Sequence, residues 1–316
     1  MPDVSASRAE LVRGPLPVRI QHPILLTFPS LGLRRAATLE PGAIDGAWEV
    51  SYATIYEQAV HDGYDVRIDA ELARTALRVG WGAADGVDLT AHLGALHAGG
   101  GSLDNFISGW HEFFGFPNSG RDDVGDDEFE VHVEHEGESA FELEPNELGL
   151  EDLGFELGVA LERSAHRSQL ARAVVELPTG SEGDGFGNGE VDFGLGWALE
   201  ATSGRWTAFA SLGWVHPGRA DGFVRAGVEL EELFELGVAL EIRWTDSTSL
   251  VAQLDGTTPL VDEIPMEELD SPMLDLALGV VTDLGSGSRA FLSFDEDVIS
   301  HAGPDFAVFA GVIWSQ

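Results

Sequence analysis

The chain has 316 residues and a formal charge of −38, from 17 basic against 55 acidic side chains, and every basic one is arginine. A field of that sign repels phosphate backbones, so no nucleic-acid partner is expected. Cysteine is absent, which excludes disulfides, thiolate metal sites and cysteine nucleophiles while leaving the compartment open. Apolar residues make up 44% of the chain, a folded-protein composition, yet no run approaches the roughly 18 residues that a membrane-spanning helix needs.

The first residues, Met1-Pro2-Asp3-Val4, lack a basic segment followed by an apolar core, so any export signal is expected to have been removed or never present. Residues 1–46 are expected to form an N-terminal segment that plugs or covers the body of the molecule, residues 47–316. From about residue 47 to the C-terminus, apolar and polar side chains alternate in segment after segment, the period of a strand with unlike faces. Strands are predicted near 47–56, 64–80, 86–96, 128–134, 152–162, 169–177, 190–200, 205–215, 222–231, 233–244, 249–255, 272–282, 289–295 and 305–314. The pattern is plainest where Phe234, Leu236, Val238, Leu240, Ile242 and Trp244 share one face against Glu235, Gly237, Ala239, Glu241 and Arg243 on the other. Turn-rich connections such as 82–86, 202–204, 217–222 and 283–288 make consecutive strands antiparallel neighbours. One interruption has helical spacing, with Leu103, Phe106, Ile107, Trp110, Phe113 and Phe114 apolar, and predicts a short amphipathic helix inserted at about 102–115.

Alternation fits a soluble sandwich with an apolar inside or a membrane barrel with an apolar outside, so the polar face has to decide. That face mixes Gly, Ala and Ser with acids and Arg, which suits a crowded, wet lumen. Trp206 and Trp214 share a face eight residues apart, roughly 26 Å at about 3.3 Å per residue, near the span between interfacial aromatic girdles. Trp197, Trp244 and Trp314 also lie on apolar faces, which makes these five tryptophans candidate membrane-interface aromatics. The candidate lumen or selectivity residues are Arg74, Arg78, Asp192, Glu200, Arg225, Glu235, Glu241 and Arg243.

Gly14-Pro15-Leu16-Pro17-Val18-Arg19-Ile20-Gln21-His22-Pro23, followed by Leu26-Thr27-Phe28-Pro29-Ser30-Leu31, resembles the opening of the bacterial DUF3187 family. The resemblance continues in Asp69-Ala70-Glu71-Leu72, in Arg78-Val79-Gly80-Trp81-Gly82, and from Gly100-Gly101-Ser102-Leu103-Asp104 through His111 and Phe114-Gly115-Phe116-Pro117 to Arg121-Asp122. Glu176-Leu177-Pro178-Thr179-Gly180 with Gly189-Glu190-Val191-Asp192-Phe193-Gly194 is similar to a strand-loop-strand found across several outer-membrane barrel families, and is less specific. Together these cover much of residues 14–200. The resemblance implies an outer-membrane-type β-barrel and brings no catalytic residues with it.

Chemical sites are sparse. His132 and His135 point to opposite faces of a strand and could share an ion only across a bend. Asp122, Asp123, Asp126, Asp127 and Glu128 form an acidic loop that could hold Ca²⁺ or Mg²⁺, against the plainer reading of a solvated loop. Asn105, Ser108 and His111 include the residue types of an outer-membrane serine hydrolase, but three side chains stacked on one helix rarely give both a base and an oxyanion hole.

The expectation is an all-β chain: a single antiparallel transmembrane-type barrel of about 12 (12–14) strands in the bacterial outer membrane. It would be a passive channel, cation-favouring if open, or a structural scaffold. It is not expected to be an enzyme or to need a cofactor beyond Ca²⁺ or Mg²⁺ on the acidic loop. Its partners would be outer-membrane lipid and small solutes or cations. The alternatives are a soluble acidic β-sandwich binding module and, less favoured, an outer-membrane hydrolase.

Overall fold

The computed structural model describes residues 12–100, 129–261, 270–299 and 303–316. The helical insertion expected at about 102–115, with Asn105, Ser108 and His111, lies outside the described residues, as do Asp122, Asp123, Asp126, Asp127 and Glu128.

In chain order the strands are β1 (Ile44–His61), β2 (Tyr64–Ala84), β3 (Val87–Gly99), β4 (Glu130–His135), β5 (Glu138–Glu142), β6 (Leu148–Leu150), β7 (Leu153–Arg163) and β8 (Arg167–Leu177). They continue as β9 (Asp192–Ser203), β10 (Trp206–His216), a short helix α1 (Asp221–Ala226), β11 (Leu233–Arg243), β12 (Thr248–Thr257), β13 (Met273–Gly285), β14 (Ser288–Asp297) and β15 (Phe306–Ser315). β1 to β3 and β7 to β15 pair in succession to make a closed antiparallel barrel of 12 strands. Closure comes from β15 returning to β1, with Asp45 opposite Ser315 and Thr54 opposite Phe306, so the wall has no free edge. One end carries the short turns between β2 and β3, β7 and β8, β9 and β10, β11 and β12, and β13 and β14. The other end carries the long connections; in outer-membrane barrels short turns face the periplasm and long loops the outside.

The faces of the wall are inverted relative to a soluble sheet. Leu195, Leu212, Leu236, Leu278 and Leu292 point outward from five different strands, and each is more than half exposed. On the inward parity Glu156, Glu200, Glu241, Asp88 and Asp192 are all at most 2% exposed. A soluble sandwich would bury the first set and hydrate the second, so that alternative is overturned. Outward aromatics gather at both rims. Trp81, Trp206, Trp244 and Trp314 stand at the short-turn end. Trp214 meets Phe193 edge-on at the long-loop end and donates its indole N–H to Glu232. Trp197 sits at mid-strand instead, its indole N–H given to Gln169 at 3.1 Å. Because Leu212 is central on β10, Leu212→Arg is expected to lower the stability of the inserted barrel by about 2–4 kcal/mol. Urea unfolding of protein folded into vesicles measures this, and an unchanged midpoint would remove Leu212 from the lipid face.

The sequence expectation fails in two places. Residues 222–231 are not a strand: Phe223 and Ala226 are buried three residues apart on α1, and Gly227, at φ 70°, closes the helix. The short strands β5 and β6 carry too few residues for a two-residue period to register. β1 and β2 also run on past the wall to a tight turn at Asp62-Gly63, both with positive φ (46° and 88°), as an Asp-Gly hairpin requires. This extension pairs with β4, and β4 with β5. Its buried residues Val66, Ile68, Val131, Val133 and Phe141 belong to the same apolar cluster as Phe223 of α1. β5 packs on α1, and His135 on β4 lies 2.7 Å from the Ala226 carbonyl. Since β3, β7, β8 and β9 stand between β2 and β10 in the wall, these contacts carry the extension across the long-loop mouth as a cover.

Candidate functional site

A wall of 12 strands encloses more space than its own inward side chains fill, so what occupies the lumen decides what the barrel can do. Residues 12–39 occupy it. At the short-turn end the backbone N–H groups of Arg13 and Gly14 donate to the Glu241 carboxylate at 3.1 and 3.0 Å, and the Arg13 guanidinium reaches Asp283 at 3.0 Å. The chain then rises past Gln253, which accepts from Leu16 N at 3.1 Å, and past Ser51, whose hydroxyl donates to Gln21. It turns near Ile24–Phe28, where Arg19 donates to the carbonyls of Leu25 and Phe28. On the way back Ser30 Oγ and Leu31 N donate to Glu235, Arg34 pairs with Glu156 and Asp88, and Arg35 pairs with Glu200 at 2.7 Å.

Apolar contacts fix the same path. Leu31 lies where Cβ atoms on Gly194, Gly196 and Gly213 would stand, Leu33 fills the place beside Gly237, and Leu16 the place beside Gly279. Inward glycine in the β9–β13 wall therefore does not line water, as the mixed polar face suggested, but receives leucines of the N-terminal segment. Leu16, Ile24, Leu26, Phe28 and Leu31 are each at most 2% exposed.

The predicted lumen residues fall into separate groups. Glu200, Glu235 and Glu241 point inward but are taken up by the N-terminal segment, as acceptors for Arg35, for Ser30 and Leu31, and for Arg13 and Gly14. Asp192 is fully buried and ties loops together, accepting from Asn188 Nδ2 at 2.7 Å and Gly218 N at 2.5 Å. Arg74 lies between Glu151 and Glu49, at 2.5 and 2.7 Å, and Arg78 faces Asp45 at 3.3 Å. Arg243 stands at the short-turn rim, its carbonyl accepting from Arg205. Arg225 is not in the lumen: it lies exposed on α1, because the segment that carries it is a helix outside the wall.

What sequence reasoning missed is the partner set. Glu156 on β7 is shared by Arg172 of β8, at 2.8 Å, and Arg34 of the N-terminal segment, at 2.5 Å, while Arg172 also donates to the carbonyls of Leu31 and Gly32. The available signal was Arg34-Arg35 in a segment without periodicity, facing a barrel whose inward parity carries Glu156 and Glu200.

Between this segment and the β1–β3, β7 and β8 walls a cavity of about 340 Å³ remains. It extends from Gly287, Trp314 and Ser315 at the short-turn end to Arg19 and, at the long-loop end of β8, Glu176. Elsewhere, His132 lies near Asp65 and Glu130 while His135 stacks on Tyr64 at 4.0 Å, so the two histidines do not converge. Among the described residues no group of His, Asp and Glu is placed to hold a metal ion.

Solved structures with this architecture include the COG4313 outer membrane channel from Pseudomonas putida F1, at a TM-score of 0.60 and 14% identity over 91% of this chain and all of that one. The NanC porin is similar at a TM-score of 0.50 and 7% identity over 86% of this chain and 98% of that one. At such identities the likeness establishes the outer-membrane-type barrel fold. No curated protein matches the chain. The model of DUF3187, described as a protein of unknown function, matches residues 3–314, and with its inverted barrel and its lumen filled from the N-terminus the chain belongs to that family.

Proposed function

We propose that the protein is a passive outer-membrane channel whose conduction path runs beside its N-terminal segment. The carrying observation is the asymmetry of the lumen: the β9–β13 side is filled by Leu16, Leu31 and Leu33, while a cavity of about 340 Å³ stays open against β1–β3, β7 and β8. Two barrels of like fold are by name a channel and a porin, which supports the same class. The lipid-facing leucines and the rim tryptophans suit outer-membrane lipid as the surrounding partner.

A cation preference, if the pore opens, rests on residues other than Glu235 and Glu241, whose charges are engaged. Asp255, Asp275 and Asp295 point inward near the long-loop mouth from neighbouring strands, with Asp255 opposite Asp275 in register. Asp275 is 5% exposed and its Oδ1 has no hydrogen-bond partner among the described residues.

The test is planar-bilayer conductance of the refolded full chain under a KCl gradient. Small cation-selective steps are expected, and Asp275→Asn with Asp295→Asn should move the reversal potential toward zero. Silence from protein shown to be inserted would sink the channel assignment and leave a structural barrel.

A further inference from the structure

Most charged groups that line the cavity are held by an opposite charge or by backbone donors. Arg74 is held by Glu49 and Glu151, Arg34 and Arg172 share Glu156, and Arg78 faces Asp45. Arg13 and Arg289 reach Asp283, Arg35 reaches Glu200, and Asp152 accepts the backbone N–H groups of Thr179 and Gly180 at 2.7 Å. Two lining groups are left over. Arg19 donates only to the carbonyls of Leu25 and Phe28 and pairs with no carboxylate among the described residues. Glu176 is 7% exposed, and its Oε2 has no hydrogen-bond partner there.

We propose that this cavity is a binding site for a small zwitterionic solute, its carboxylate seated on Arg19 and its ammonium on Glu176. A charge removed from bulk water without a hydrogen-bonded ion partner is costly, and here two groups of opposite sign face one cavity, within each other's field but not bridging each other. A plain anion or cation compensates only one of them; a solute carrying both compensates both. Arginine presents a planar fork matched to a carboxylate, and a carboxylate accepts the three donors of an ammonium. The volume is at the small end of the range for ligand pockets, about 300–1,000 Å³, so the occupant is an amino-acid-sized molecule rather than an oligomer. Entry is from the short-turn end, where the lining reaches Gly287 and Ser315, since the β4–β5 cover lies over the other mouth.

The site deepens the reading of the lumen as a solute path, but its test is separate from conductance. Folded full-length protein in detergent is titrated calorimetrically with glycine, β-alanine and γ-aminobutyrate, a series that varies the charge separation. Acetate and methylammonium serve as single-charge controls. One member of the series is expected to bind about tenfold or more tighter than either control, the worth of a second charge-assisted hydrogen-bonded contact. Glu176→Gln should reduce that affinity to the level of acetate. Arg19→Gln should reduce it to the level of methylammonium, and Arg19→Lys, which keeps the charge, should restore part of it. Zwitterions that bind no tighter than the controls overturn the proposal, and so does affinity unchanged in Glu176→Gln. Glu176→Gln is close in shape to the native residue, whose side chain makes no hydrogen bond to the N-terminal segment among the described residues, so it keeps the test decisive if Arg19 variants fail to fold. A silent pore that binds the zwitterion leaves the site standing, and a conducting pore that does not bind sinks the site alone.

Discussion

Deleting residues 1–39 is expected to raise single-channel conductance several-fold over that of the full chain. The segment runs up one part of the lumen and back down another, so its removal clears both the apolar half against β9–β13 and the anchors at Glu235, Glu241, Glu200 and Glu156. Barrels of about eight strands are filled by their own side chains and those of 16–18 leave an aqueous channel, so a wall of intermediate size widens its narrow path when its filling leaves. A subtler variant gives the same direction. A Cβ on Gly213 would lie 2.8 Å from Leu31 Cβ, so Gly213→Val must push the returning arm off the wall, at about 1–3 kcal/mol for overpacking. The converse is a lock. With no native cysteine to compete, Leu33→Cys with Gly237→Cys offers a single pair, since a Cβ on Gly237 would stand 2.6 Å from Leu33 Cγ, the place a sulfur would take, and oxidation should hold conductance at the wild-type level even at high voltage. If the deletion and Gly213→Val both conduct no better than the full chain, the N-terminal segment is not what limits the pore.

The wall was legible in the sequence because each strand meets lipid on one side and lumen on the other, and that contrast is written residue by residue in stretches such as Phe234–Trp244. The antiparallel order of neighbouring strands followed from turns such as Ser203-Gly204 and Ser286-Gly287, where positive φ makes a tight reversal possible. Inward parity also placed Glu235 and Glu241 on the lumen side. It could not tell a hydrated carboxylate from one that accepts backbone N–H groups of Leu31, Arg13 and Gly14, because those donors lie some 200 residues away in sequence. Among its described residues the N-terminal arm has no regular secondary structure beyond one turn at Leu25–Thr27, so neither strand nor helix period could reveal it. Its path is imposed by the wall: Gly194, Gly213, Gly237 and Gly279 make room, and Glu156 and Glu200 take Arg34 and Arg35. Arg225 was misplaced for the opposite reason. Gly222-Phe223-Val224 looks like a strand start locally, and only the burial of Ala226 three residues after Phe223 identifies a helix.

Glu156→Gln is expected to be among the most damaging single substitutions in the wall, lowering stability by about 3–5 kcal/mol. Its carboxylate is 1% exposed and joins two guanidiniums, Arg172 from the adjacent strand and Arg34 from the N-terminal arm, themselves 4% and 16% exposed. The amide keeps the shape but not the charge, so two cations remain beside each other, and only Arg34 retains a second carboxylate, at Asp88. Burial is what makes this expensive, since an exposed pair of the same geometry would be worth about 1 kcal/mol or less. The sign of a rescue separates the causes. Replacing Glu156 and Arg172 together by methionine removes a charge of each sign and should recover much of the loss, as buried ion pairs exchanged for apolar side chains usually do. Asp88 continues to hold Arg34 in that variant. If instead the double substitution is worse than Glu156→Gln, the pair contributes through the Arg172 bonds to the carbonyls of Leu31 and Gly32, and its role is to dock the arm rather than to neutralise charge. Urea midpoints in vesicles measure the first effect, and conductance of the same variants reads the second, because an arm released from Arg172 opens the pore whether or not the barrel itself is weakened.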